Sequence, residues 1–223
     1  MKRQLKDQLD VGLGCATFAR EHPDANPTLT AAGANLDALN GRGSTLAARF
    51  ESASHRWNAA VEGKDREQQE ATRLLRAIQR ITDYAATRQP EVAVRFRMPA
   101  HRSGRHAFVA RAQAVVELIT TNRELLAGYG MPDTMPEELG ATLGRYEAFT
   151  IQKESAQQTR SAARAELAEV ARQVMQQVRH LDGLYRIRYE DNPEVLTTWR
   201  LTRRLPRTAR PEPVEVPADR PAA

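Results

Sequence analysis

The residues of this 223-residue chain best suited to chemistry are its arginines. Only Lys2, Lys6, Lys64 and Lys153 are lysines, so 29 of the 33 basic residues carry a guanidinium. A guanidinium presents a planar fork of N–H donors that matches carboxylate and phosphate oxygens. Two stretches concentrate the charge. Residues 95–111 hold Arg95, Arg97, Arg102, Arg105 and Arg111 without an acid, and residues 199–210 hold Arg200, Arg203, Arg204, Arg207 and Arg210, again without one. The formal net charge is +5, so outside these stretches acids outnumber bases. Local positive charge of this kind attracts polyanions. Phe96, Met98 and Phe108 interleave with the first stretch, and Ser103-Gly104 precedes a helix start whose free N–H groups favour anions. The candidate anion or nucleic-acid contacts are therefore Arg95, Arg97, Arg102, Arg105, Arg111, Arg200, Arg203 and Arg204. The competing reading makes the same arginines caps of helix C-termini or partners of acids, the second cluster pairing with Glu190, Asp191 or Glu194.

Other reactive residue types do not assemble into sets. His101 and His106 are five apart, whereas two metal ligands on one helix face need a spacing of three or four. His22, His55 and His180 are isolated, and Asp182 near His180 and Tyr185 has no nucleophile beside it. Cys15 sits among Gly14, Ala16 and Thr17 and reads as a small packing residue. Glu166 and Glu169 flank Leu167 on the side expected to be wet. No GxGxxG or P-loop is present, and Gly12-Leu13-Gly14 and Gly41-Arg42-Gly43 are lone and weak signals. No catalytic residue, metal ligand or cofactor-binding residue is assigned, and no cofactor is expected.

The elements that position these residues read as helices. Leu5, Leu9, Leu13 and Ala16 form a stripe over 2–20, and Pro23 stops it. Asn26-Pro27 is a cap followed by first-turn proline. Leu29, Ala32, Leu36, Leu39, Gly43, Leu46, Phe50, Ala53, Trp57 and Ala60 then recur at three- and four-residue steps, a coiled-coil-like seam through about residue 62. Gly41 and Gly43 interrupt it, each at a cost of roughly 1 kcal/mol unless close packing compensates. Gly63 marks a tight turn into a helix over 64–88, which Pro90 ends. Over 91–99, Val92, Val94, Phe96 and Met98 alternate with Ala93, Arg95 and Arg97, and the segment reads as an extended connector. Ser103 caps a helix over 104–127 with Phe108, Ala112, Val115, Ile119, Asn122 and Leu126 on its stripe, closed by Gly128 and Gly130.

Thr134 with Glu137 has capping-box spacing and opens the longest helix, 136–188. Its stripe runs from Leu139, Leu143, Tyr146 and Thr150 through Gln157 and Arg164 to Leu167, Val174, Val178, Leu181 and Tyr185. The middle of it is polar. Either Thr150, Lys153, Gln157, Arg160 and Arg164 fix register, or that part is solvated, or the stripe shifts to Ile151, Ala156, Ala162 and Ala163. Asn192-Pro193 starts a short helix that docks through Leu196 and Trp199. Five prolines follow Arg204, and the Pro-rich 205–223 is expected to be a disordered tail.

Composition agrees with this reading. Hydrophobic residues make up 41% and charged residues 27%, neither collagen-like nor wholly disordered. One cysteine excludes an intramolecular disulfide, and no apolar run approaches the ~20 residues of a membrane span. The first residues have charges but no apolar stretch behind them, unlike a secretory signal. The expected fold is all-α: an elongated antiparallel bundle of four to five long helices over 1–204, a single domain, with the short docking helix at its end.

Two stretches, Arg95-Phe96-Arg97-Met98-Pro99 with the following His101–His106, and Asp191-Asn192-Pro193-Glu194 through Trp199-Arg200 and Arg203-Arg204, resemble a loose group of uncharacterised all-helical bacterial proteins. The resemblance covers about a seventh of the chain. It implies a bacterial, helical, cytoplasmic protein and carries over no functional residue. The functional expectation is a non-enzymatic helical scaffold or self-associating interaction protein, with a protein partner or a second copy and no evident small-molecule substrate. The alternative is a nucleic-acid-binding accessory protein that grips phosphates without reading sequence. No helix-turn-helix, finger or RRM pattern is present.

Overall fold

The computed structural model describes residues 3–89 and 104–204. They form six α-helices: α1 (Arg3–Glu21), α2 (Pro27–Arg88), α3 (Arg105–Thr121), α4 (Arg123–Ala127), α5 (Met135–Arg188) and α6 (Pro193–Thr202). None of the described residues forms a strand, so the all-α class holds. The connector 91–99, the Ser103 cap and the tail 205–223 lie outside the described residues. The chain divides into two compact units, Met1–Ala47 with Arg164–Ala223, and Ala48–Ala163.

The first unit is built from α1, the start of α2, the end of α5, and α6. Asn26 Oδ1 accepts the Thr28 N–H at 2.9 Å, and Pro27 opens α2, as the Asn-Pro pair predicts. On α1 the buried residues are Leu9, Val11, Gly12, Cys15, Ala16 and Phe18. They cover about half the helix circumference at 100° per residue, and Leu13 falls outside that arc. Leu13 is 47% exposed, which corrects its place on the stripe. Gly12 faces Asn40 and Val174: a Cβ there would lie 2.4 Å from Val174 Cγ1 and 2.7 Å from Asn40 Oδ1. Gly43 is also a close-approach site, where a Cβ would lie 3.1 Å from Leu9 Cδ2, whereas a Cβ on Gly41 would meet open space. One of the two interruptions is thus compensated by packing and the other is not.

The short helix α6 packs on α1. Its N-cap is Asn192, whose side chain accepts from Val195 N, and its docking residues are Leu196 and Trp199. Trp199 has no exposed surface, and its ring lies 4.6 Å from Tyr185 and 5.3 Å from Phe18. An indole N–H buried this way needs an acceptor, and Trp199 Nε1 donates to Asp182 Oδ1 at 3.0 Å.

In the second unit, Gly63 is not a turn. α2 runs unbroken through it, and the buried positions continue at the same steps through Ala71, Leu74, Ile78 and Ala85. A Cβ on Gly63 would lie 2.5–2.7 Å from Cε1, Cδ1 and Cζ of Phe149, so the glycine admits an aromatic ring against the α2 backbone. The apolar core joins α2 to Ala112, Val115 and Ile119 of α3, Leu126 of α4, and Leu139 and Leu143 of α5. The expected 104–127 helix is broken at Asn122, whose Nδ2 donates to Leu118 O at 2.8 Å and competes with the regular backbone ladder. The capping box also differs: Thr134 Oγ1 donates to Glu138 Oε1 at 2.6 Å, while Glu137 pairs with Arg123 at 2.9 Å.

The polar stretch of α5 separates into buried and solvated parts. Thr150 is buried and donates to Tyr146 O at 2.8 Å, satisfying its hydroxyl within the helix. Gln157 and Arg164 are exposed, and Ala156 and Ala163 are buried instead. The buried face has moved about a third of a turn around the helix. Ile151 and Ala162 stay exposed, so only two members of the shifted stripe are used. Arg160 lies over the half-buried Trp57 ring, 4.6 Å from its centroid.

Candidate functional site

Of the eight candidate arginines, Arg95, Arg97 and Arg102 lie outside the described residues. Arg105 begins α3, and its side chain is likewise outside the description. The other four divide sharply. Arg200 and Arg204 are exposed. Arg203 is half-buried, its Nε 3.1 Å from Asp182 Oδ1 at an angle short of a hydrogen bond. Asp182 also takes Arg186 at 3.1 Å and the Trp199 N–H, so one carboxylate anchors two guanidinium groups and an indole. The acid that holds Arg203 is therefore Asp182 on α5, rather than Glu190, Asp191 or Glu194. Trp199 of α6 reaches the same carboxylate and lies 4.6 Å from Tyr185, so α6 meets α5 at Asp182.

Arg111 is the opposite case. It is half-buried on α3, and its Nε is covered, with no acceptor among the described residues. With Arg76 it lines a cavity of about 450 Å³, whose other walls are Gln68, Thr72, Leu75, Gln79 and Phe108. Gln68, Thr72 and Arg76 are four apart and share one face of α2. They also line an adjoining cavity of about 420 Å³, where Asp65 pairs with Lys64 at 3.0 Å. Phe108 is held edge-on to Tyr146 at 5.4 Å. Arg76 was not among the residues singled out from sequence. Its four-residue spacing from Thr72 was visible, but nothing in sequence shows that α3 brings Arg111 to the same space.

Other groups are committed to packing. Cys15 is fully buried, and burial pushes its thiol up to about 12, far from a reactive thiolate at neutral pH. Burial likewise pushes the Tyr185 hydroxyl up to about 12. His22 stacks on Phe18 at 4.1 Å, and His55, His106 and His180 are exposed. Glu169, half-buried rather than on the wet side, takes Arg172 and the Gln173 amide. Among the described residues no group of three or more His, Cys, Asp or Glu side chains is placed to hold a metal. A smaller cavity of about 250 Å³ in the first unit is lined by Arg20, His22, Asp24, Asp37 and Tyr185, among others. Asp24 there accepts from Arg188 Nε at 2.6 Å and from Tyr189 Oη at 3.3 Å. The Arg188 hydrogen bond first, then the Asn26 N–H, holds its carboxyl below the usual range.

No described helix is long and apolar enough to cross a membrane. Comparison with protein-family models, with curated proteins and with solved structures finds no match to this chain.

Proposed function

We propose that this chain is a non-enzymatic helical scaffold or self-associating interaction protein. One observation carries the reading: along α2 the buried positions, from Leu29, Ala32 and Leu36 to Ala71, Ile78 and Ala85, are spent on helix packing. Buried hydroxyls follow suit, Thr82, Thr142 and Thr150 each bonding back into its own helix. What such a molecule offers to others is its helical surface. Because the seam is consumed within the chain, self-association would use other apolar side chains, such as Leu13, Ile187 and Leu201, which are 47%, 79% and 60% exposed. The proposal includes the elongated antiparallel bundle, the protein partner and the bacterial cytoplasmic setting expected from sequence. Light scattering across a wide concentration range tests self-association: a mass above 25.0 kDa supports it. A strict monomer that captures no protein partner from a bacterial extract defeats the reading.

A second reading, phosphate-backbone binding to nucleic acid, is favoured by one feature: Arg200 and Arg204 stand exposed at the end of α6. It predicts oligonucleotide binding that falls steeply with salt, and a shallower slope when both are changed to Ala. Binding absent at ~50 mM salt removes it.

A further inference from the structure

We infer that the cavity lined by Arg76 and Arg111 in the second unit is a binding site for a small, multiply charged oxyanion. The inference stands apart from the scaffold reading and from the exposed arginines of α6. Its first support is the covered Arg111 Nε, a charged donor without an acceptor among the described residues. A charged donor left unsatisfied in a low-dielectric setting is costly, and an anion in the cavity removes that cost. The second is the company it keeps. Another guanidinium, Arg76, lines the same space with the side-chain amides of Gln68 and Gln79, and no carboxylate is among the described residues that line it. Three other arginines of this unit meet acids, Arg73 with Glu70, Arg123 with Glu137 and Arg145 with Glu67, and Arg160 meets the Trp57 ring.

The third support is size and wall chemistry. A volume of about 450 Å³ suits a small molecule. Leu75 and Phe108 give it an apolar side, so the occupant is an anionic group on a less polar body. Guanidinium forks accept phosphate and carboxylate alike, so the shared chemistry is a polyanionic oxygen cluster, borne by a phosphate ester or by a polycarboxylate.

The test is calorimetric titration of the full chain, at constant ionic strength, with inorganic pyrophosphate in one arm and citrate in the other. We expect one-to-one binding of at least one anion, weakened about ten- to hundredfold by Arg111→Met and by Arg76→Met. Arg42→Met, on an exposed face of the first unit, leaves it unchanged. Preference for pyrophosphate assigns a phosphate-bearing ligand, and preference for citrate a polycarboxylate. Binding of neither anion overturns the inference, as does equal binding by both cavity variants, which marks general screening of a basic surface. Should Arg111→Met fail to fold, the exposed Arg76→Met still decides the question. Mass in solution is unaffected by either result, so this site and the scaffold reading fail separately.

Discussion

Arg203 and Arg111 are both half-buried guanidinium groups on helices, one in each compact unit, and their surroundings are opposite. Arg203 sits beside a carboxylate that also holds Arg186 and the Trp199 indole. Arg111 faces a cavity with a second arginine and no acid among the described lining residues. The first arrangement spends its charge on fastening α6 to α5 in the first unit. The second leaves a covered Nε–H without an acceptor among the described residues. The pair teaches that an arginine-rich sequence is not one feature: the same residue type is an internal clasp at one position and an open donor at another, depending on the acid its helix neighbours present.

The contrast is broken most forcefully from the Arg203 side. Asp182→Ala leaves the Trp199 N–H without its acceptor and Arg203 without its charge partner, and is expected to cost about 2–3 kcal/mol in urea unfolding. A loss below a few tenths would mean that Asp182 is a solvated bystander and that the two arginines are alike. Arg111→Met should do the reverse, stabilising the anion-free protein by about 1 kcal/mol because it deletes an unsatisfied donor and keeps an apolar stem. Marked destabilisation would show that Arg111 already has a partner. Smaller again is Gln79→Glu, which brings a carboxylate into the cavity that Arg111 lines: a gain of at most ~1 kcal/mol is expected in the same assay, with loss of pyrophosphate binding. Last is the acid response of Asp24, which a third arginine, Arg188, holds by hydrogen bond. The Asp24 carboxyl is held below its unfolded value, so its contribution to stability is present above the usual carboxylate range and disappears as pH falls through the lowered value. Asp24→Asn should flatten the acid limb of the stability curve, and an unchanged limb would remove Asp24 from that account.

Much of the helical framework was legible because it rests on local periodicity. The α2 seam, the Asn-Pro helix starts and the docking pair Leu196 and Trp199 are all written in short-range spacing, and the buried residues follow them. What was not legible depends on who stands opposite. Gly63 looks like a turn until Phe149, far along the chain, is seen to press on it. The switch from Gln157 and Arg164 to Ala156 and Ala163 reflects which side of α5 is covered, a fact the helix itself does not encode. The candidate site divides the same way. The arginine clusters were visible as composition, but the Asp182 clasp and the partnership of Arg76 with Arg111 come from contacts between helices.

The placement of the two tryptophans has an optical consequence. Trp199 is sealed among Tyr185 and Phe18 in one unit, and Trp57 lies half-buried under Arg160 in the other. Each unit thus carries its own intrinsic fluorophore, and Trp57→Phe or Trp199→Phe leaves emission from one of them alone. Denaturant midpoints recorded from the two single-tryptophan proteins would coincide if the units melt as one cooperative body and separate if they do not.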